Sequence, residues 1–339
     1  MKGTGSSNNI KMTKDINIPR QKTSKIPYCI SVIIFTVLVS FFPGKLIAQI
    51  DPGFTQFMYN PILINPAYAG SKETFNATFL SRHQWIGFEG APQTQTLSAH
   101  IPFSEQRFGA GLSYVNDRLG PLNHDRFSID YAFHMNVSQE SKLSLGVKAG
   151  FESLFIAHNE LSPLNSNISD PAYHGADERR NMLNFSAGAF YYSSNAYVGL
   201  SVLDIQTVLL SEENENSTGK WKDSPQFFLT GGFIWNAGPE WKIKPSLLAR
   251  HAPGMPLNVD INLNTMFNEK VVAGVSHRIN DSFGFMLQFR TFNGLWVGYA
   301  YDMGISQLNL YNQGTHEVMI VFDLIRSEET ETIISPRFF

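Results

Sequence analysis

The stretch that decides the fold is LNVDINLN at residues 257–264, in which apolar and polar residues strictly alternate. Successive side chains of a β-strand point to opposite faces of the sheet. This stretch therefore places its leucine, valine and isoleucine side chains on one face and its asparagine and aspartate side chains on the other. One face suits hydrocarbon and the other suits water, which is the pattern of a strand in the wall of a membrane β-barrel.

The same pattern recurs about fourteen times between Thr74 and Leu324, in runs of roughly nine to eleven residues that each end in a turn. A tilted strand of about this length crosses the hydrocarbon core of a bilayer. The sequence therefore predicts an all-β fold, an outer-membrane β-barrel of about 14 antiparallel strands over residues 74–324. We place the strands near residues 74–84, 94–102, 108–117, 125–137, 142–159, 183–193, 196–203, 226–235, 241–250, 257–266, 271–278, 282–290, 295–302 and 315–324.

The connections between these strands form two sets. Every second connection is short and uses turn residues such as Asn, Gly and Pro. The short set is Phe103–Arg107, Val137–Ser141, Ser193–Asn195, Asn236–Glu240, Phe267–Glu269 and Thr291–Gly294. The other set holds the long connections Leu161–Asn181, Asp204–Ser224 and Asp302–Gly314, with only Ile279–Asp281 tight. Short periplasmic turns opposite longer extracellular loops are typical of outer-membrane barrels, and an even strand number leaves both chain ends in the periplasm.

The alternation also assigns side chains to the two faces of the wall. The predicted lipid-facing rows are Phe127, Ile129, Tyr131 and Phe133 in one strand and Phe283, Phe285, Leu287 and Phe289 in another. The predicted lumen residues are Ser128, Asp130, His134, Lys148, Glu152, Thr96, Ser98 and His100. Aromatic residues near strand ends form interfacial girdles in such barrels, and here they are Trp85, Trp235, Trp241, Tyr299 and Tyr301. A secreted β-sandwich that buries the same rows is the alternative, since periodicity alone does not separate the two folds.

Residues 1–48 have the composition of a secretory signal. Basic residues precede an apolar run at residues 30–42, and Ala48 supplies a small residue for cleavage, so we expect the mature chain to start near Gln49. Initiation at Met12 instead of Met1 leaves this signal intact. A retained transmembrane helix is the alternative, but the run is shorter than a bilayer helix needs and Pro43-Gly44 interrupts it.

The composition of the exported chain argues against several classes of function. Cys29 is the only cysteine and lies in the signal, so the exported chain has no disulfide, thiolate metal site or cysteine nucleophile. Removing residues 1–48 takes away seven basic residues and one acidic residue, which lowers the formal net charge from −3 to −9. No basic stripe remains, so nucleic acid is not an expected partner.

The sequence predicts no catalytic, cofactor-binding or metal-binding residues. Gly111-Leu112-Ser113, Gly199-Leu200-Ser201 and Gly274-Val275-Ser276 begin like nucleophile elbows, but the fifth residue of each is not glycine, so we interpret them as ordinary strand residues. The histidines are scattered without metal-ligand spacing. An outer-membrane phospholipase is the enzymatic alternative. Its nearest candidate pair, Ser276 and His277, would point to opposite faces of a strand.

The segment at residues 49–73 has the chemistry of a structured element. It contains the steps Asn60-Pro61 and Asn65-Pro66. A residue before proline is restricted to extended or turn backbone, and an asparagine side chain bonds readily to nearby backbone groups. We interpret residues 49–73 as an N-terminal periplasmic segment that forms a compact hatch against the barrel lumen. A plain periplasmic leader is the alternative.

After the signal, the chain resembles the PorP/SprF family of the Bacteroidetes, membrane proteins associated with type IX secretion, essentially from end to end. The motifs that carry the resemblance are Asn65-Pro66-Ala67-Tyr68-Ala69-Gly70, Gln84-Trp85-Ile86-Gly87-Phe88, Gly90-Ala91-Pro92-Gln93-Thr94-Gln95-Thr96, Asn116-Asp117-Arg118-Leu119-Gly120-Pro121, Gly298-Tyr299-Ala300-Tyr301-Asp302, Gly314-Thr315-His316-Glu317 and Ser335-Pro336-Arg337-Phe338-Phe339. The short motif Asn65-Pro66-Ala67 also resembles a motif near the hatch of fatty-acid-transporter barrels, which have fourteen strands.

The resemblance implies a non-enzymatic component of the outer membrane that is needed for export or surface anchoring of a specific large adhesin with a type B C-terminal sorting domain. It also implies contact with periplasmic secretion and gliding proteins, within outer-membrane lipid. A channel for hydrophobic or small solutes is the alternative. We interpret residues 325–339 as a C-terminal periplasmic tail. The candidate hatch or partner-contact residues are Asn60, Pro61, Asn65, Pro66, Ala67, Tyr68, Gly70, Trp85, Gly87, Asp117, Gly120, Pro336, Arg337 and Phe339.

Overall fold

The structure is a computed structural model, and it describes residues 53–72, 74–104, 107–158, 177–210, 224–291, 294–305 and 311–324. The predicted signal at residues 1–48 and the predicted tail at residues 325–339 lie outside the described residues. The candidate residues Pro336, Arg337 and Phe339 belong to that tail, so they also lie outside them.

The regular structure consists of three short 3₁₀ helices followed by fifteen strand segments. The helices are Phe57–Tyr59, Pro61–Leu63 and Pro66–Tyr68. The strands are β1 Asn76–His83, β2 Gln93–Phe103, β3 Phe108–Leu119, β4 Leu122–Asn136, β5 Ser141–Ile156, β6 Glu178–Ser193, β7 Ala196–Leu209, β8 Gln226–Phe233, β9 Trp235–Asn236, β10 Trp241–His251, β11 Asn258–Phe267, β12 Val271–Arg278, β13 Ser282–Arg290, β14 Leu295–Gly304 and β15 Thr315–Asp323. Both β8 and β9 pair with β10, so they are two parts of one wall strand. The fifteen segments therefore form 14 wall strands.

The sheet closes on itself. Each wall strand pairs antiparallel with its neighbour in chain order, and β1 pairs antiparallel with β15. A closed sheet has no edge whose unpaired backbone groups would lie in hydrocarbon, where each such group is costly. The prediction of a 14-stranded antiparallel barrel is therefore confirmed, and the structure is not the β-sandwich of the alternative.

The wall is apolar outside and polar inside, as the alternation predicts. Phe127, Ile129 and Tyr131 are 46%, 54% and 46% exposed, whereas Asp130 between them is 1% exposed. The phenylalanines of β13 are exposed in the same way. A continuous apolar surface of this kind is characteristic of a barrel that faces lipid. Among the residues that the structure describes, no helix is both long and apolar enough to span a bilayer.

Aromatic side chains collect near the ends of the strands. Phe108 stacks on Phe103 and on Tyr131, with ring centroids 5.7 and 5.8 Å apart. Trp241 packs against Phe267 at 4.7 Å. Trp85, Trp235 and Tyr299, which we predicted for interfacial girdles, are exposed, and Tyr301 is partly buried against His316.

The two ends of the barrel differ in their connections. At the end that we call the turn end, the connections are residues 104–107, 137–140, 194–195, 237–240, 268–270 and 291–294, which confirms the predicted short turns. We call the opposite end the loop end. Its two longest connections are residues 157–177 and 210–225. The described chain enters β1 and leaves β15 at the turn end, which we predict to face the periplasm.

Two strands extend farther toward the loop end than predicted. Residues 178–181 belong to β6 and residues 204–209 belong to β7, so the predicted connections Leu161–Asn181 and Asp204–Ser224 were wrong at those residues. The remainder of these connections, residues 159–176 and 211–223, lies outside the described residues.

The sequence pattern fails there because the ladder is irregular. The pairing of β6 with β7 shifts register between Phe185 and Ala187, and Asp204 has a φ of +54°. Such an irregularity interrupts the alternation of apolar and polar residues while backbone pairing continues beyond it.

The connection between β3 and β4 is also shorter than predicted. Leu119 pairs with Leu122, so the gap between the predicted strands 108–117 and 125–137 is only a tight turn at Gly120-Pro121. Polar cross-strand bonds support the extension, since Asn116 Nδ2 donates to Asn123 Oδ1 at 2.9 Å. Polar residues on the outer face carry no apolar period, which is why the sequence pattern ended too early.

Candidate functional site: the lumen segment and its wall

Residues 53–72 lie inside the barrel, and we call them the lumen segment. Near its beginning, Phe57 and Tyr59 are buried against side chains of β1, β7, β8 and β10–β15. Farther along, Ile62, Ala67 and Tyr68 are buried with side chains of β4, β6 and β7. The segment is therefore the core of the molecule, and it fills the space that an open channel would use.

Two asparagine–proline steps shape the lumen segment. The second and third 3₁₀ helices begin at Pro61 and Pro66, and proline suits a first helical position because it has no N–H to satisfy there. Asn65 caps the third helix, since its Oδ1 accepts from the backbone nitrogen of Ala67 at 3.0 Å. The side chain of Asn60 accepts from Ser98 Oγ in β2 at 2.8 Å.

Asn65 also ties this turn to the wall. Its Nδ2 donates to the backbone oxygens of Ala189 in β6 at 3.0 Å and Leu200 in β7 at 3.4 Å. One buried amide side chain thus satisfies a helix terminus and two wall carbonyls. A shorter or apolar side chain at this position would leave the backbone nitrogen of Ala67 without this acceptor and would remove both bonds to the wall.

Glycines on the inner face of the wall make room for the turn. A Cβ added at Gly109 would collide with the carbonyl oxygen of Ala69, and a Cβ at Gly146 would collide with the backbone nitrogen of Ala67. Backbone atoms cannot swing aside as a flexible side chain can, so these positions need glycine while the segment lies here. Further inward glycines lie against side chains of the segment, namely those of Ile62 and Asn65. We call the whole set, Gly109, Gly111, Gly146, Gly188 and Gly199, the glycine cradle.

The end of the turn packs among aromatic rings. Tyr68 meets His100 and Phe190 edge-on, each with ring centroids 5.3 Å apart. Gly70 has a φ of +76°, which favours glycine, and its backbone nitrogen donates to His100 Nδ1 at 3.2 Å.

Buried charges hold the beginning of the lumen segment near the loop end. Glu317 of β15 accepts from the backbone nitrogens of Thr55 at 3.0 Å and Gln56 at 2.9 Å. Arg82 of β1 lies between two carboxylates, 2.9 Å from Glu317 and 2.8 Å from Asp302. The Thr55 hydroxyl donates to Asp302. We call Thr55, Arg82, Asp302 and Glu317 the loop-end clamp.

A second set of contacts holds the end of the segment near the turn end. Lys72 Nζ lies 3.2 Å from Asp323 Oδ1 of β15, and Asn76 Nδ2 of β1 donates to the same oxygen at 2.6 Å. We call Lys72, Asn76 and Asp323 the turn-end clamp. The segment therefore runs through the lumen from the loop end to the turn end and is fixed near both.

The predicted lumen charges pair with one another or with the segment. Lys148 Nζ donates to the carbonyl oxygen of Ile62 at 3.0 Å and lies 3.4 Å from Asp130. Glu152 lies 3.0 Å from His124 across β4 and β5. A buried charge needs such partners because its desolvation is costly, and these groups hold the interior together.

Four of the predicted candidate residues lie outside the lumen segment, at the loop end of the barrel. They are Trp85, Gly87, Asp117 and Gly120. The backbone nitrogen of Trp85 donates to Thr315 Oγ1 at 3.3 Å, and that of Gly120 donates to the carbonyl of Gly90 at 2.9 Å. Thr94 Oγ1 donates to Asp117 at 2.6 Å. Hydrogen bonds therefore join the β1–β2 connection, which contains Gly87, to the start of β15 and to the β3–β4 turn.

This connection exposes apolar side chains from a fixed backbone. Trp85, Ile86 and Phe88 are 42%, 36% and 40% exposed, and we call residues 85–88 the aromatic loop. Ile86 exchanges backbone hydrogen bonds with residues 313 and 314 before β15. Trp85 has a φ of +47°, a conformation that bulky residues rarely adopt.

A small space lies beside the lumen segment. A cavity of about 80 Å³ lies between Phe54 and Phe57 of the segment and wall residues including Leu203, Phe228 and Leu248. Because one water takes up about 30 Å³ of liquid, this space suits a few waters or one small molecule. Within the described part of the chain, no three His, Cys, Asp or Glu side chains group as a metal site would require.

Sequence reasoning missed the residues that receive the lumen segment. Gly111 and Gly199 drew attention only as the first residues of incomplete nucleophile elbows. Glu317 was noted only as part of the family motif at residues 314–317, and Arg82 was not noted at all. The signal that could have found them is chemical, because a charge or a glycine at an inward position of a strand needs a partner inside the barrel.

A family model described as type IX secretion system membrane protein PorP/SprF matches residues 46–322. The chain belongs to the PorP/SprF family. The match spans the lumen segment, the glycine cradle and nearly the whole barrel. This PorP/SprF chain is therefore a membrane component of type IX secretion, and its closed barrel with an apolar exterior places it in the outer membrane.

No curated protein matches the PorP/SprF chain. Solved outer-membrane barrels resemble it in structure. The toluene transporter TodX of Pseudomonas putida is 11% identical with a TM-score of 0.44, over 78% of this chain and 92% of TodX. A FadL homologue of Pseudomonas aeruginosa is 12% identical with a TM-score of 0.37, over 74% and 89% of the two chains. CdiB of Acinetobacter baumannii is 10% identical with a TM-score of 0.43 over 74% of this chain, which spans only 60% of CdiB.

Proposed function

We propose that this PorP/SprF chain is a non-enzymatic part of the secretion and gliding machinery, needed for export or surface anchoring of one large adhesin with a type B C-terminal sorting domain. Family membership supports the secretion role. The observation that favours binding over conduction is the lumen segment, which occupies the interior and is fixed at both clamps and at the glycine cradle. A barrel filled in this way offers its loops and outer rim to a partner.

The aromatic loop supports an adhesin contact at the loop end. Its Trp and Phe side chains are exposed while its backbone is held by hydrogen bonds to neighbouring elements. Large aromatic groups on a fixed backbone bind with little loss of conformational entropy, and they recur as anchors of protein interfaces. The left-handed backbone at Trp85 is a local strain of the kind that persists at functional sites.

In this proposal the other candidate residues act at a distance from the adhesin. Asn60, Pro61 and the turn from Asn65 to Gly70 hold the lumen segment, and Asp117 and Gly120 hold the aromatic loop. Periplasmic secretion and gliding proteins would meet the turn end and the tail at residues 325–339.

The test is surface display of the adhesin with a Trp85→Ala variant. We expect display to fall several-fold because the tryptophan of the aromatic loop is lost. The matched control is Trp235→Ala, which removes an exposed tryptophan near the turn end and should leave display unchanged. Heat-modifiable gel mobility on the same membranes shows whether each barrel is folded.

A gentle-detergent pull-down of the tagged protein from outer membranes gives the second readout. We expect the adhesin to be recovered with the unmodified protein and the Trp235→Ala protein, and to be depleted with Trp85→Ala. If cells that carry the Trp85→Ala variant display the adhesin normally but lose uptake of a hydrophobic solute, the result would contradict the proposal. It would favour the channel alternative. A folded barrel that recovers no exported protein would contradict it as well.

A further inference from the structure

The barrel closes at a pair of strands that no connection joins. Every other pair of wall neighbours is consecutive in the chain, whereas β1 and β15 are its first and last strands. We call this pair the seam. Its ladder runs from Asn76 opposite Asp323 to His83 opposite His316. The seam is therefore the wall pair that must stay closed without a covalent hairpin.

Each clamp of the lumen segment contains one residue pair of the seam. In the loop-end clamp, Arg82 of β1 and Glu317 of β15 are direct partners in the strand register, and the backbone nitrogen of Thr55 binds the same Glu317. In the turn-end clamp, Asn76 of β1 and Asp323 of β15 are direct partners. Lys72 binds that Asp323. The segment thus contacts β15 at both ends of the seam from inside.

The distribution of buried ion pairs sets the seam apart. Asp130–Lys148 joins β4 to β5, and Asp260–Arg278 joins β11 to β12, so each links strands that a connection already joins. The links across the seam have no such covalent support. The lumen segment continues directly into β1, so its bonds to β15 add a second connection between the two strands.

We propose that the lumen segment is a staple that keeps the seam closed, so that the barrel does not open between β1 and β15 while it works. The physical reason is that opening the seam would separate buried carboxylates of β15 from the N–H groups and cations on the segment and on β1. An uncompensated buried charge is costly, so the closed seam is strongly favoured. This inference does not depend on the identity of the adhesin.

Spin labels across the seam test the staple. Phe79 and Ile320 are register partners on the outer surface, and the only cysteine of the chain, Cys29, lies in the predicted signal, so the variants Phe79→Cys and Ile320→Cys accept labels without background. We expect strong dipolar broadening in the labelled parent protein. Adding Glu317→Gln and Asp323→Asn should reduce that broadening, because a share of the molecules opens the seam.

The control for this measurement is Glu152→Gln. It removes a buried carboxylate that binds His124 and Asn184 away from the seam, so broadening should remain as in the parent. Unchanged broadening in the Glu317→Gln, Asp323→Asn protein would overturn the proposal. Equal loss of broadening in the control would also overturn it, because the effect would then not be specific to the clamps.

A covalent lock tests the seam in cells without touching either clamp. Joining the Phe79→Cys and Ile320→Cys residues with a short thiol crosslinker should leave adhesin display unchanged, since a seam that stays closed loses nothing by being locked. Loss of display on crosslinking, with recovery on cleavage of the linker, would overturn the proposal. This outcome is decisive even where the clamp variants fail to insert.

Discussion

At Gly146 the lack of a side chain decides how closely the lumen segment approaches the wall. A Gly146→Val variant places its Cβ on the backbone of Ala67, which cannot turn away. We expect overpacking of about 1–3 kcal/mol, with displacement of the turn. Heat-modifiable mobility should be lost at a lower temperature, and proteolysis within residues 53–72 should increase.

Gly231→Val is the matched control for this prediction. The nearest atom to a Cβ at Gly231 is the carbonyl oxygen of Tyr197 at 3.7 Å, which is an ordinary contact. The control should therefore behave as the unmodified protein does. Equal behaviour of the two valine variants would show that the glycine cradle is not in tight contact with the segment.

Residues such as these mark the limit of prediction from sequence. Phe127 and Asp130 were assigned to the correct faces because their placement depends only on local alternation. The role of Gly146 depends on a turn about eighty residues earlier in the chain, and Arg82 meets a carboxylate 235 residues away. No local pattern contains such a partner, so the cradle and the clamps required the folded structure.

At the scale of an element, the third 3₁₀ helix depends on one cap. Replacing Asn65 by Ala removes the acceptor for Ala67 and the two donations to the wall, so we expect a loss of at least the ~0.5–2 kcal/mol of an N-cap. Asn65→Ser keeps a capping oxygen but cannot bridge to β6 and β7 as the amide does. The thermal midpoint of gel mobility should fall in the order parent, Asn65→Ser, Asn65→Ala. Equal midpoints for parent and Ala would contradict this role.

Strand existence was predictable, but some strand ends were not. The apolar period identified fourteen wall strands because lipid demands it on one face throughout the bilayer. Beyond the apolar belt the outer face no longer needs apolar side chains. There β3 and β4 continue through polar pairs such as Asn116 with Asn123. In β7 the irregularity at Asp204 breaks the pattern while pairing with β6 goes on. Those extensions depend on backbone pairing, which residue type alone does not reveal.

At the scale of the whole molecule, the filled lumen makes an electrical prediction. Conduction needs a continuous water path, whereas the lumen segment is buried against the inner side chains of the wall and is clamped at both ends of the seam. Purified protein in a planar bilayer should therefore give no steady porin-like current. The Gly146→Val protein, with its displaced turn, should show intermittent current, and Gly231→Val should remain silent. A steady current through the unmodified protein would mean that the segment leaves the lumen in the membrane, and it would favour solute transport over adhesin binding.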